Sequence, residues 1–106
     1  MDTFILLRQI KKDTEIWKSD IHGLEHWLRV EENGHLISDV TGADKAVVSY
    51  FAYLHDCQRW NEFDDPRHGP RAALYAQKHR SLIELDDDQF ELLKRACSGH
   101  THAMPN

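Results

Sequence analysis

The chain has 106 residues, of which 41% are apolar and 29% charged, the balance of a folded globular protein rather than a disordered one. That length predicts a single domain over residues 1–106, with one core and little stability to spare. Thirteen basic against eighteen acidic side chains give a formal charge of −5, which argues against non-specific nucleic-acid binding, and no apolar run approaches the roughly 20 residues of a membrane span.

Residues Thr3 to about Lys18 place Phe4, Leu6, Leu7, Ile10, Ile16 and Trp17 among charged residues at near-helical spacing, which predicts a first helix. Ser19 or Asp20 is positioned to cap a second, running through Ile21, Leu24, Trp27, Leu28 and Val30 and ending near Asn33-Gly34. His22 and His26 are four residues apart and would share one face of it. A shorter helical stretch from His35 to Val40 is expected before Thr41-Gly42. Asp44 opens a third helix through Val47, Tyr50, Phe51 and Leu54, apolar on nearly every side and therefore central. Its β-branched and aromatic content would also suit a buried strand, but the run is longer than a typical strand and has no hairpin partner.

A loop of about a dozen residues follows, from Cys57 to Gly69, and loops that long in small domains usually carry function. Pro70 suits the first turn of a fourth helix reaching about Arg80. Asp86 and Gln89 form a capping-box variant for a fifth, through Phe90, Leu93 and Cys97, with Gly99 as its stop. Cys57 and Cys97 read as free thiols, in keeping with a cytoplasmic protein; the first residues carry no basic segment followed by a long apolar one.

The chemistry concentrates at His55-Asp56, which end the apolar third helix, with His26 on the helix before. Imidazole and carboxylate together are a mixed nitrogen and oxygen donor set for a divalent ion, Fe, Mn, Ni, Co, Zn or Mg, and one or two ions are expected. Arg59, Arg67 and Arg71 flank His68 and can bind phosphate in bidentate fashion. Asp56 and Asp65 are the candidate catalytic carboxylates. Asp64 or Asp65 is expected to accept an N–H from a ligand imidazole or to act as a general base. His22 is read either as packing near Trp27 or as supporting a ligand of the site from behind, and His35, His79 and His102 as solvated.

These residues form four ordered motifs: His22-Gly-Leu-Glu-His26-Trp-Leu-Arg29-Val30, Phe51-Ala-Tyr-Leu-His55-Asp56, Asp65-Pro-Arg-His68-Gly69-Pro-Arg71, and Ala96-Cys-Ser-Gly-His100-Thr101. Between Ile21 and His102 the sequence thereby resembles the HD domain family of metal-dependent phosphohydrolases. The resemblance implies an all-α bundle of about five helices, with a metal held by His26, His55 and Asp56. His68 and His100 resemble the extra histidines that some members use for a second metal or for phosphate. The family's later Asp-bearing helix has no counterpart here, which leads us to expect an uncovered apolar groove and self-association as a homo-oligomer. The implied activity is hydrolysis of a small phosphorylated compound or nucleotide. The alternative is a non-catalytic metal- or ligand-binding helical module.

Overall fold

The computed structural model describes residues 3–60, 65 and 67–103, the last four by their main chain alone. Within them the chain forms α1 (Phe4–Asp13), α2 (Leu24–Thr41), α3 (Lys45–Leu54), α4 (His68–Lys78) and α5 (Asp87–Ala103), with single 3₁₀ turns at Ile16–Lys18 and Arg80–Leu82 and no strand among the described residues. The fold is all-helical, as the periodicity predicts.

The ends of α1 and α2 differ from the sequence expectation, and side-chain hydrogen bonds explain why. Thr14 turns extended and brings both its amide (3.0 Å) and its hydroxyl (2.9 Å) onto the Ile10 carbonyl, so α1 stops there rather than at Lys18. Ser19 does not cap α2. Its hydroxyl accepts from the amides of Ile21 (3.0 Å) and His22 (3.1 Å), holding a turn that leaves His22 outside the helix.

Gly34 does not stop α2 either. A Cβ at this position would lie 2.5 Å from Val48 Cγ1, so the glycine lets α3 approach α2 closely. The helix ends at Gly42, whose φ of +78° is the left-handed conformation of a glycine C-cap and whose amide reaches the Ser38 carbonyl at 2.8 Å.

Asp44 caps α3 as predicted, Oδ1 accepting from Ala46 (2.9 Å) and Val47 (3.2 Å). The helix packs against α2, α4 and α5, which favours helix over strand for this apolar run: each side meets a partner helix. Its polar atoms are tied to neighbours. Ser49 Oγ is 2.9 Å from His35 Nε2, so His35 is a half-buried link between α2 and α3 rather than a solvated residue. The Tyr50 hydroxyl accepts from the Glu84 amide at 3.0 Å, and the Tyr53 hydroxyl donates to Glu31 Oε1 at 2.9 Å. Burial, reinforced by that carboxylate, pushes the Tyr53 phenol up to about 12.

α4 starts at His68, so Pro70 sits in the first turn where its missing N–H costs nothing. The Tyr75 hydroxyl donates to Asp13 Oδ2 at 2.8 Å and ties α4 to α1; His79, 3.6 Å from the same oxygen, is half-buried rather than solvated. α5 opens on the predicted reciprocal cap, with Gln89 N to Asp86 Oδ1 at 2.8 Å and Asp86 N to Gln89 Oε1 at 3.0 Å.

α5 then continues past Gly99 to Ala103. Gly99 does not take the left-handed φ of a glycine C-cap, and a glycine inside a helix costs only about 1 kcal/mol against alanine. Leu6, Ile10, Trp27, Tyr50, Leu54 and Leu93 are wholly buried at the centre. α3 and α5 leave between them an apolar groove of about 460 Å³ lined by Val47, Val48, Phe51, Leu92 and Ala96. Among the described residues no helix is long and apolar enough to cross a membrane.

Candidate metal centre

α3 delivers His55 at its C-cap, where the last carbonyls of the helix have no intrahelical partner. His55 Nδ1 lies 2.9 Å from the Ala52 carbonyl and 3.2 Å from that of Phe51, and only a protonated nitrogen can donate to them. In the neutral imidazole Nε2 is then the lone-pair end, with the Phe51 ring stacked against its face at 5.1 Å. Asp56 follows in the turn that closes with Arg59 N to Asp56 O at 3.1 Å. His26 comes from the first turn of α2, next to Trp27, which is fully buried and donates Nε1–H to the His22 carbonyl at 2.7 Å.

These elements bring three donor atoms together. His26 Nε2 and His55 Nε2 are 3.3 Å apart, and Asp56 Oδ2 lies 3.4 Å from the first and 3.3 Å from the second. Corners of such a triangle are about 1.9 Å from its centre, a spacing that would suit the ~2.0–2.2 Å of Zn–N and Zn–O bonds. The residues fit a divalent ion, and three protein donors leave further coordination positions open. Among the described residues this is the one group of three such donors within 4.8 Å of one another, hence a single candidate ion site.

Burial lowers the pKa of His26, and the neighbouring His55 adds to that effect against the opposing pull of Asp56. A neutral imidazole is the form that binds a cation. His55 and Asp56 are almost sealed, with side-chain exposures of 8% and 5%, while His26 at 31% is the member that faces solvent.

The other expected site residues divide. His68, at the start of α4, places Nε2 3.2 Å from the second oxygen of Asp56, Oδ1. Arg59 reaches the same oxygen with Nε at 3.4 Å and His68 Nε2 with a terminal nitrogen at 3.5 Å. Asp65 is not at the cluster. Its Oδ2 accepts from the Trp60 amide at 2.6 Å and from Arg71, and its main-chain carbonyl accepts from His68 Nδ1.

Asp65 thus supports an imidazole as expected, but through its backbone, while its carboxylate anchors the loop instead of facing the triangle. Burial pushes its carboxyl up, yet the Trp60 amide and Arg71 outweigh that and hold it below the usual carboxylate range. Arg71 is equally committed: Nε donates to the Gln58 carbonyl at 3.1 Å, and the guanidinium lies 3.7 Å over the Trp60 ring. Arg67 is exposed at the N-cap of α4, adjoining His68. His22 meets the His26 ring edge-on at 6.1 Å and stands outside the triangle. Asp64 lies outside the described residues, as does the His100 side chain, whose main chain belongs to α5.

Sequence reasoning missed the orienting carbonyls of Phe51 and Ala52. The signal was available, since a histidine closing a helix always has the carbonyls three and four residues back within reach. No family model, curated protein or solved structure matches this chain.

Proposed function

We propose that the chain is a helical metal-binding module that holds one divalent transition-metal ion through His26 Nε2, His55 Nε2 and Asp56 Oδ2. The observation that carries this reading is the donor triangle with edges of 3.3, 3.4 and 3.3 Å, built from two helices and oriented by the carbonyls on His55 Nδ1. The His55 lone pair and the Asp56 carboxylate face each other at 3.3 Å, an arrangement that a shared cation makes favourable. Elemental mass spectrometry of protein purified without chelator tests it. About one equivalent of a divalent metal is expected in the unaltered chain and a large loss in His55→Ala and Asp56→Ala. Equal metal content in all three sinks the assignment.

A second reading, catalysis of phosphoester hydrolysis on a small phosphorylated compound or nucleotide, draws support from Arg59 and from the motif order shared with the HD domain family. Arg59 contacts Asp56 and also lines a cleft of about 570 Å³ beside Thr14, Lys18, Ser19 and Trp60, a volume in the range of small-ligand pockets. When bound, a divalent ion supplies Lewis acidity. Arg59 orients an anionic group entering from the cleft, with Arg67 at the exposed rim, and His55 and Asp56, nearly sealed from water, keep the donor set fixed. Asp65 positions His68 and the loop in this scheme and does not touch substrate. Phosphate release by the metal-loaded protein, compared between the unaltered chain and Arg59→Ala, separates this reading from the plain binding module: metal uptake without turnover leaves only the module.

A further inference from the structure

The Asp56 carboxylate has two oxygens in unlike surroundings. Oδ2 belongs to the triangle with His26 and His55. Oδ1 faces His68 Nε2 at 3.2 Å, and because Nδ1 donates to the Asp65 carbonyl, Nε2 is the lone-pair end of the neutral ring. A carboxylate oxygen and an imidazole lone pair at this separation are the start of a second ion site. The Arg59 guanidinium lies against both of these donors. Its Nε–H points at Asp56 Oδ1 (3.4 Å) and a terminal N–H points at His68 Nε2 (3.5 Å), so one fixed cation engages both donors.

We infer that Arg59 is the built-in second cation of this centre, limiting the chain to a single divalent ion by engaging Asp56 Oδ1 and His68 Nε2. The inference rests on the metal-binding reading of the triangle. A donor that accepts an N–H along its lone pair offers that direction to no metal, so a second ion must first displace the guanidinium. The charge balance opposes that displacement by excess metal. Among the described residues Asp56 is the carboxylate that contacts both halves, and its side chain is 5% exposed, that of Arg59 12%, so a second divalent ion would bring further positive charge beside a divalent ion and a guanidinium already held close together away from water. Arginine stays charged at any working pH and does not vacate the position by losing a proton.

The test is stoichiometry. Calorimetric titration with Zn²⁺, paralleled by the absorption spectrum with Co²⁺, is expected to give one ion per chain for the unaltered protein and for Arg59→Lys, which keeps a cation. Arg59→His removes the guanidinium and adds a donor beside Oδ1 and His68, and two ions are expected. The double variant Arg59→His with His68→Ala returns to one, which separates a built site from surface histidines. Two ions in the unaltered chain, or one in a folded Arg59→His, overturn the inference while leaving the triangle intact; no ion in the unaltered chain overturns the triangle as well. Should Arg59→His fail to fold, nuclear magnetic resonance on the unaltered chain decides. The Arg59 Nε–H is expected to stay protected from solvent exchange through an excess of Zn²⁺, and loss of that protection beyond the first equivalent defeats the proposal.

Discussion

The Nε2 atoms of His26 and His55 lie 3.3 Å apart across a sequence separation of 29 residues. Two neutral imidazole nitrogens this close cannot both present lone pairs without a positive charge or a proton between them. The Ala52 and Phe51 carbonyls take the His55 proton to Nδ1, which commits its Nε2 to accepting. His26 is the adaptable partner, since it is the more exposed ring and its pKa is lowered by burial.

His26→Ala is therefore expected to weaken metal binding by about 100-fold or more, whereas His22→Ala leaves it nearly unchanged, because His22 sits edge-on outside the donor triangle. Competition against a chromophoric chelator measures both. A comparable loss in the two variants would mean that His22 turns in to ligate.

Asp65→Ala is expected to cost about 3 kcal/mol in urea denaturation, because the substitution leaves Arg71 without its carboxylate and the Trp60 amide without its acceptor in a nearly buried loop. Asp65→Asn keeps an acceptor for that amide and is expected to cost less. If Asp65→Ala is as stable as the unaltered chain, the loop is not anchored there.

Gly34→Ala puts two effects in opposition. Alanine gains about 1 kcal/mol of helix propensity, but its Cβ would stand 2.5 Å from Val48 Cγ1, and overpacking of that kind costs about 1–3 kcal/mol. A net loss is expected, recovered when Val48→Ala is added. A Gly34→Ala protein more stable than the original would show that Val48 simply moves aside.

Asp44 supplies a pH signature. Its carboxyl is held below the usual carboxylate range, first by Gln89 Nε2 at 2.8 Å and then by the Val47 and Ala46 amides it caps. A depressed folded pKa means stability present above the unfolded value and lost as pH falls through the folded one. Asp44→Ala is expected to lose about 1 kcal/mol at neutral pH. The gap should narrow in acid, where both proteins lack the charge, and denaturation curves at several pH values check this. A gap that stays constant into acid would assign the loss to packing.

The sequence by itself determined what is local. The apolar stripes of α3 and α5, the Asp44 cap and the Asp86–Gln89 box depend on residues within a few positions of one another, and each lies where periodicity and capping rules put it. The adjacency of His55 and Asp56 is also written in the chain, as is their place at the end of an apolar helix. Tertiary structure decided the rest. Gly34 reads as a helix stop until Val48 of α3 is seen to need its missing Cβ, and Gly99 reads as another until its φ is seen not to be that of a C-cap. Asp65, a candidate base by residue type, becomes an anchor once Trp60 and Arg71 fold onto it. The two oxygens of Asp56 are equivalent in sequence; only the folding of α2 against one side and of Arg59 and His68 against the other turns one toward the His26 and His55 nitrogens and one toward a guanidinium. Contacts between residues far apart in the chain fix those roles, because the direction of a lone pair depends on which distant carbonyl takes the proton at the other end of the ring.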